Sequence, residues 1–273
     1  MTAFPLTWLY APGDRPHVVA KALTSGADVV VVDLEDAVAP DRKAYARAAT
    51  AELLAELPPV PVHVRVNALD SPWAGQDLAA VAPAPGLCAL RLPKIGSPAE
   101  VVRIAQHAVP TGLPLYALLE TALGVEQAYA VATAHPSLRG IALGEEDLRA
   151  DLGVCDDEGL DWSRSRVIVA ARAAGLPPPA QSVHPDVRDL EGLAASCTHG
   201  RTLGFLGRAA IHPRQLPVIE RAFLPTEDEI EQAESIVKAA ATEQGAQALP
   251  DGRFIDAAVV AAAQRTLSLA RRR

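Results

Sequence analysis

The sequence predicts a (β/α)8 barrel, and three observations carry that expectation. Eight strand-like runs alternate with helix-like stretches almost to the end of the chain, and strict βα alternation builds a parallel sheet. Many of these runs are continuously apolar and close on charged residues, as in ADVVVVDLED, PVHVRV, LCALRLPK, LPLYALLE and RGIALGEEDL. That pattern belongs to strands buried on both faces whose ends deliver charge to one rim. Finally, 273 residues suit one barrel, and no composition break marks a second domain.

In order, strand is expected at Thr7–Gly13 and helix at Arg15–Ser25, where Val18, Val19, Ala22 and Leu23 recur at helical spacing. The apolar run Asp28–Asp33 is the second strand. Helix then follows at Arg42–Leu57, strand at Pro61–Val66, a short helix at Gly75–Val81 and strand at Leu87–Leu92. The alternation continues through helix Pro98–Ala108, strand Leu113–Leu119, helix Gly124–His135, strand Leu138–Leu143 and helix Ser163–Ala174. Strand Pro179–Val183, helix Leu190–Gly200 and strand Gly207–Ile211 complete eight units. Two helical stretches, Glu227–Gln244 and Ala257–Leu269, are joined by the turn-rich GAQALPDGRFID. In the second, Val260, Ala263, Leu267 and Ala270 form an apolar stripe that needs a partner, either its own barrel or a neighbouring subunit. Residues 1–273 thus read as one barrel domain, with 225–273 as a C-terminal helical extension.

A hydrophobic share of 49% with only 4% aromatic residues means that Ala, Val and Leu fill the core, and it argues against disorder. A net charge of −8 and a pI near 5.4 argue against nucleic acid or an anionic membrane as the main partner. Any anionic substrate must therefore be held by local positive charge. Cys88, Cys155 and Cys197 show neither CxxC nor Cys/His ligand spacing, which fits a reducing cytoplasm. No apolar run approaches the roughly 20 residues needed to span a bilayer, and no secretory leader is seen.

Glu120 and Asp147 sit at adjacent strand ends, and oxygen-only ligation there suits a hard ion such as Mg2+. The competing reading is that each carboxylate caps the helix that follows. Arg65 lies inside an apolar strand and needs an anion, either an anionic substrate or an internal partner such as Glu35 or Asp36. Arg15, in the APGDRP turn, is a weaker candidate because a loop arginine can simply be solvated. Lys94 closes a strand and could form a Schiff base with a keto substrate, but among so many carboxylates it should stay protonated. His184 and His212 read as hydrogen-bonded rim histidines. No GxGxxG or P-loop pattern follows any strand.

The strings WLYAPGDRP, GADVVVVDLEDAVAP, VRVN, LPK, ETALG, GEEDL, IHPRQLPVI and DGRFIDAAVV occur in that order across nearly the whole chain. Together they resemble the citrate lyase beta-subunit family within the HpcH/HpaI aldolase superfamily. The resemblance implies a TIM barrel, usually trimeric, whose last helix packs on an adjacent subunit. It implies that Glu120 and Asp147 ligate Mg2+, and that Arg65 binds a carboxylate of a keto acid. Arg15, Glu35 and Asp36 would line the pocket, with Glu35 or Asp36 as candidate base. Glu120, Lys94, Gly144 and Glu146 would join the substrate-binding set. Asp256 of FID matches an acid/base residue that relatives acting on coenzyme A thioesters contribute from a neighbouring chain, while its local sequence reads as a helix N-cap.

Two departures stand out. Glu145 replaces a small residue usual in the GEEDL motif and adds a charge near the metal. Arg208 stands where relatives often carry Lys, keeping the charge but not the shape. The expected activity is a Mg2+-dependent carbon–carbon lyase acting on a 3-hydroxyacyl thioester of the citryl, malyl or citramalyl type. Its products would be a 2-oxo acid such as oxaloacetate and an acetyl thioester, carried on coenzyme A or an acyl carrier protein. Two rivals stay open: a Schiff-base aldolase using Lys94, and a binding subunit active only in a larger complex.

Overall fold

The computed structural model describes residues 5–107, 109–110, 112–242, 247–248 and 254–272. The chain divides into two compact units, Pro5–Glu220 and Arg221–Arg273. The first is a seven-stranded parallel sheet: β1 (Thr7–Pro12), β2 (Val29–Asp33), β3 (Val62–Arg65), β4 (Leu87–Leu92), β5 (Leu115–Leu119), β6 (Leu138–Leu143) and β7 (Arg208–Ala210). Their spatial order is β6-β5-β4-β3-β2-β1-β7. The helices in and just after this unit are α1 (Pro16–Ala22), α2 (Lys43–Leu54), α3 (Ala74–Val81), α4 (Pro98–His107), α5 (Ala122–Glu126), α6 (Ala128–Ala132), α7 (Glu145–Leu152), α8 (Asp161–Ala173), α9 (Leu190–Leu203) and α10 (Leu216–Phe223). From β1 to β6, consecutive strands pair in parallel through helical crossovers, so their C-terminal ends share one rim.

The expected strand at Pro179–Val183 is not a strand of its own. It reduces to a bridge between Gln181 and Arg208, held where Leu206 N donates to the Pro179 carbonyl (2.9 Å) and Gln181 N to the Gly207 carbonyl (3.0 Å). Pro177, Pro178 and Pro179 precede the bridge, and proline has no N–H to extend a ladder. Toward the β6 side, the Glu145 N–H donates to Ser182 Oγ at 3.3 Å, a side-chain stitch in place of a ladder.

All five residues of β2 are buried, as expected for a strand covered on both faces. Register then aligns the site: Asp33 pairs with Arg65, Arg65 with Arg91, Arg91 with Tyr116, and Tyr116 with Gly140. Residues in register on adjacent strands point to the same face. Gly140 is required there, because a Cβ would stand 2.7 Å from the Tyr116 ring.

In the second unit, α11 (Glu227–Thr242) packs along α12 (Ala257–Ala270), with a short antiparallel pair, β8 (Gln247–Ala248) and β9 (Phe254–Ile255), between them in sequence. The apolar stripe of α12, including buried Ala263, therefore has a partner in α11 of the same chain. The expected helix ends at Ala108 and Gln244, and most of the GAQALPDGRFID turn, lie outside the described residues. Among the described residues, no helix is long and apolar enough to cross a membrane. Cys88 and Cys155 are exposed, Cys197 is buried, and all three are free thiols.

Candidate active site

The strand ends surround a cavity of about 370 Å³ whose lining includes Arg65, Arg91, Glu120, Gly144 and Asp147. A second cavity, of about 300 Å³, is lined by Glu35, Lys43 and Lys94 and shares Asp36 with the first. The two are divided by a network built on Asp33, the last residue of β2. Arg65 grips Asp33 with its fork, Nε to Oδ1 and Nη2 to Oδ2, each at 2.7 Å. Its remaining nitrogen, Nη1, lies 3.2 Å from Glu35 and 3.0 Å from Asp36. Asp33 also accepts the backbone N–H groups of Glu35 (2.9 Å) and Ala37 (3.0 Å), shaping the turn that presents the acidic pair. Buried Lys43 of α2 fastens that turn from behind, donating to the carbonyls of Leu34 (2.8 Å) and Glu35 (2.6 Å).

Lys94 follows β4 with a φ of 55°, a left-handed conformation unusual for a residue with a Cβ. That twist aims its N–H at Glu120 Oε2 (3.0 Å), while Nζ lies 3.2 Å from Glu35 and 3.4 Å from Asp147. Neither Glu120 nor Asp147 caps a helix. Thr121 caps α5 and Gly144 is the N-cap residue of α7, so the capping alternative does not account for the pair. A Cβ on Gly144 would collide with the Glu120 carboxyl, so glycine leaves that carboxylate its place in the cavity.

Five carboxylates, Asp33, Glu35, Asp36, Glu120 and Asp147, face four cations: Arg65 and Lys94 pair with them, Arg91 lines the same cavity as Glu120 and Asp147, and Lys43 stands behind the Glu35 turn. Burial is the first cause of the raised carboxyls at the rim. Burial, then the Glu35 and Asp147 charges, push Glu120 up to about 8 despite Arg65 and Lys94. Burial and Asp36 push Glu35 up to about 7 against the pull of Arg65 and Lys94. Burial would also raise Asp33, but Arg65 and the turn N–H groups overcome it and hold its carboxyl low. Burial lowers Lys94, yet Glu35, Asp36 and Asp147 more than reverse this, so its ammonium stays protonated. A divalent cation would relieve this imbalance. Among the described residues no group of three or more His, Cys, Asp and Glu is arranged for a metal.

Glu146 and Asp147 line the cavity and are exposed. Glu145 is buried, and its charge is cancelled: Arg164 of α8 holds it with Nε at 3.2 Å and Nη2 at 2.6 Å. The extra charge expected near the metal is thus neutralised by an arginine with no sequence signal. Arg15 is exposed, 3.9 Å from Asp14, and is not among the cavity-lining residues. Arg208 is buried against α9, donating to Ser196 Oγ at 2.9 Å, and is likewise absent from the lining. Asp256 caps α12 by accepting the Val259 N–H at 2.9 Å. His212 accepts the Arg214 N–H in a capping box, and His184 lies 3.6 Å from Asp189.

Sequence reading missed Asp33 and Arg91. Arg91 is buried on β4, in register with Arg65, with its guanidinium 5.7 Å from the Tyr10 ring and 5.6 Å from that of Tyr116. An unpaired buried ion is penalised by several kcal/mol, whereas a cation–π contact returns on the order of 0.5–2 kcal/mol. The rings alone do not offset its burial.

Parallel strands that deliver acidic and basic side chains to a small-molecule cavity on one rim define the class: a barrel-type α/β protein with an active-site-like C-terminal rim. The profile of the HpcH/HpaI aldolase/citrate lyase family matches residues 6–213, and the chain belongs to that family. A (3S)-malyl-CoA thioesterase of Cereibacter sphaeroides is 37% identical over 96% of this chain and 93% of its own length. A citrate lyase subunit beta-like protein of Mycobacterium tuberculosis is 35% identical, covering 95% of this chain and 93% of its own. A crystal structure of CitE from the same organism, in complex with magnesium, acetoacetate and coenzyme A, superposes with a TM-score of 0.84. It is 34% identical and covers 98% of both chains. A second structure of the M. tuberculosis citrate lyase beta subunit, with oxaloacetate and magnesium, gives a TM-score of 0.72 at 35% identity, covering 82% of this chain and 98% of its own.

Proposed function

We propose that this protein is a Mg2+-dependent carbon–carbon lyase that splits a 3-hydroxyacyl thioester into a 2-oxo acid and an acetyl thioester. One observation supports this above all: Glu120, Asp147, Arg65 and the Glu35/Asp36 pair meet at one rim with surplus negative charge. Glu120 and Asp147 would hold the ion, since Mg2+ commonly takes one or two carboxylates and leaves other positions to water and substrate. When bound, it supplies a Lewis acid for the oxygens of the oxo-acid half. Arg65 has its fork on Asp33 and Nη1 against Glu35 and Asp36, so it would reach a substrate carboxylate only in exchange for that acidic pair, and Gly144 and Glu146 border the same space. Asp36, which lines both cavities, or Glu35, pushed up to about 7 and lining the second, would be the base for the substrate hydroxyl proton. The carbon–carbon bond then breaks and its electrons pass to the thioester enolate, which an acid protonates.

For that acid we propose Asp256 of a neighbouring subunit in a homotrimer, with the C-terminal unit packed on the neighbour and the sheet completed as the family barrel. The carrier would be coenzyme A, the thiol seen with the M. tuberculosis relative. The Schiff-base rival is disfavoured because the carboxylates keep Lys94 protonated. A hydrolytic reading is favoured by the thioesterase relative and differs in product. Incubation with Mg2+ and citryl-, malyl- or citramalyl-coenzyme A should yield a 2-oxo acid and acetyl-coenzyme A, and chelator should stop it. Release of the intact hydroxy acid with free thiol would make the protein a thioesterase. No turnover of any thioester would leave a binding subunit.

The trans-acting acid has its own test. Mixing Glu120→Ala with Asp256→Ala subunits, each inactive alone, should restore roughly a quarter of the sites of a cyclic trimer, because each site needs one ordered pair of chains. No recovery after verified exchange would place the acid within its own chain.

A further inference from the structure

We propose that Arg91 reads a second carboxylate on the oxo-acid half of the substrate, so that the cavity selects a 2-oxo dicarboxylate over a 2-oxo monocarboxylate. This rests on reading the cavity as an oxo-acid site.

Arg91 is only 4% exposed yet lines the same cavity as Glu120, Gly144 and Asp147. Guanidinium stays charged under all ordinary conditions, so it cannot escape burial by losing a proton. Among the described residues no carboxylate pairs with it. Its one hydrogen bond goes to the Tyr10 hydroxyl at a long 3.4 Å, and Nε has no partner. The rings packed against it supply no negative charge. Burial raises the Tyr116 hydroxyl further above its usual range, and burial together with Arg91 keeps His63 neutral.

Two other arginines of the interior are paired with carboxylates by the protein itself. Arg65 has its fork on Asp33, and Arg164 has its fork on Glu145. Arg208 also lacks a carboxylate and has an unpartnered Nε, but it turns to Ser196 and the Val183 carbonyl and does not line this cavity. Arg91 alone of these four combines an open fork with a cavity wall. It also stands in register with Arg65 on the next strand, and neighbouring strands lie about 4.8 Å apart. A four-carbon dicarboxylate spans that interval, with one end toward Arg65 and the metal-binding carboxylates and the other on Arg91.

The test is calorimetric titration of the Mg2+-loaded full chain with oxaloacetate and with pyruvate, which differ by one carboxylate. Wild type should bind oxaloacetate at least tenfold more tightly than pyruvate. Arg91→Met should lose at least tenfold for oxaloacetate and change less than about twofold for pyruvate, so that pyruvate binding certifies the fold. Arg91→Lys keeps the charge and loses the fork, and should lower oxaloacetate affinity at least threefold, which serves if the Met variant does not fold. An unchanged oxaloacetate-to-pyruvate ratio in the variants overturns the role of Arg91 alone. Failure of wild type to bind either acid overturns the oxo-acid reading, and this proposal with it.

Discussion

Two arginine–carboxylate networks lie side by side in this unit and are built to opposite ends. Around Arg164, Glu145, Asp157 and Asp161 converge with contacts of 2.6, 2.8 and 3.0 Å. Hydrogen bonds from Arg164, joined by Arg149, draw Asp157 down to about 2 against its partial burial. That network is electrostatically settled. Around Arg65 the carboxylates outnumber the cations, and Glu35 and Glu120 are pushed up to about 7 and about 8. Both networks hold more carboxylates than cations; they differ in that Arg164 contacts every carboxylate of its own network, whereas at the rim burial leaves Glu35 and Glu120 raised, the mark of a candidate reaction centre. The settled network also stands at the start of α7, the helix whose first turn carries Asp147.

The difference predicts opposite responses to losing one partner. The largest effect should come from Arg164→Met, which strands the buried Glu145 carboxylate and should lower stability by about 3–5 kcal/mol. Urea unfolding at pH 7 measures it, and a loss below about 1 kcal/mol would show that the network is not structural. Next is Arg65→Lys, which keeps the charge but has no fork for Asp33. It should weaken oxaloacetate binding by about 1.5–3 kcal/mol, the scale of a charge-assisted hydrogen bond. Wild-type oxaloacetate affinity in that variant would mean that Arg65 serves only Asp33, Glu35 and Asp36.

The settled network was invisible in the sequence for a physical reason. Arg164 lies on a helix, where arginine is ordinary and usually solvated, and its partner Glu145 is 19 residues away. The rim was far more legible. Charged residues closing apolar runs point to Glu35, Arg65, Lys94, Glu120 and Asp147 directly, because buried parallel strands end at one edge. Asp33 and Arg91 were obscured because each precedes a louder signal, the LED turn and Lys94. Yet the argument that a charge inside an apolar strand needs a partner applies to both as it does to Arg65. The strand at 179–183 misled because alternation was counted without discounting the prolines that weaken a ladder.

The smallest expected effect lies in the stability of the unsettled rim, and its sign follows from the raised carboxyls. For Glu35 and Glu120 the folded values, about 7 and about 8, lie above the ordinary glutamate value of 4.5. The folded state therefore binds more protons than the unfolded state between those limits. The stability they contribute is complete below about pH 4.5 and is lost as pH rises through 7 and 8. In chelator these two carboxyls should lower the melting temperature between pH 5 and pH 8, against the opposite contribution of His63, which burial keeps neutral. A shift of about 2–4 °C would correspond to 1 kcal/mol in a domain of this size. Glu120→Gln removes one of the two charges and should flatten that slope while leaving stability at pH 5 nearly unchanged. Mg2+ should restore the wild-type melting temperature at pH 8, by binding only the folded state, and should do far less for Glu120→Gln. A Glu120→Gln variant whose melting temperature changes with pH as wild type does, between pH 5 and pH 8 in chelator, would show that Glu120 is not raised at the rim, because the His63 contribution is common to both.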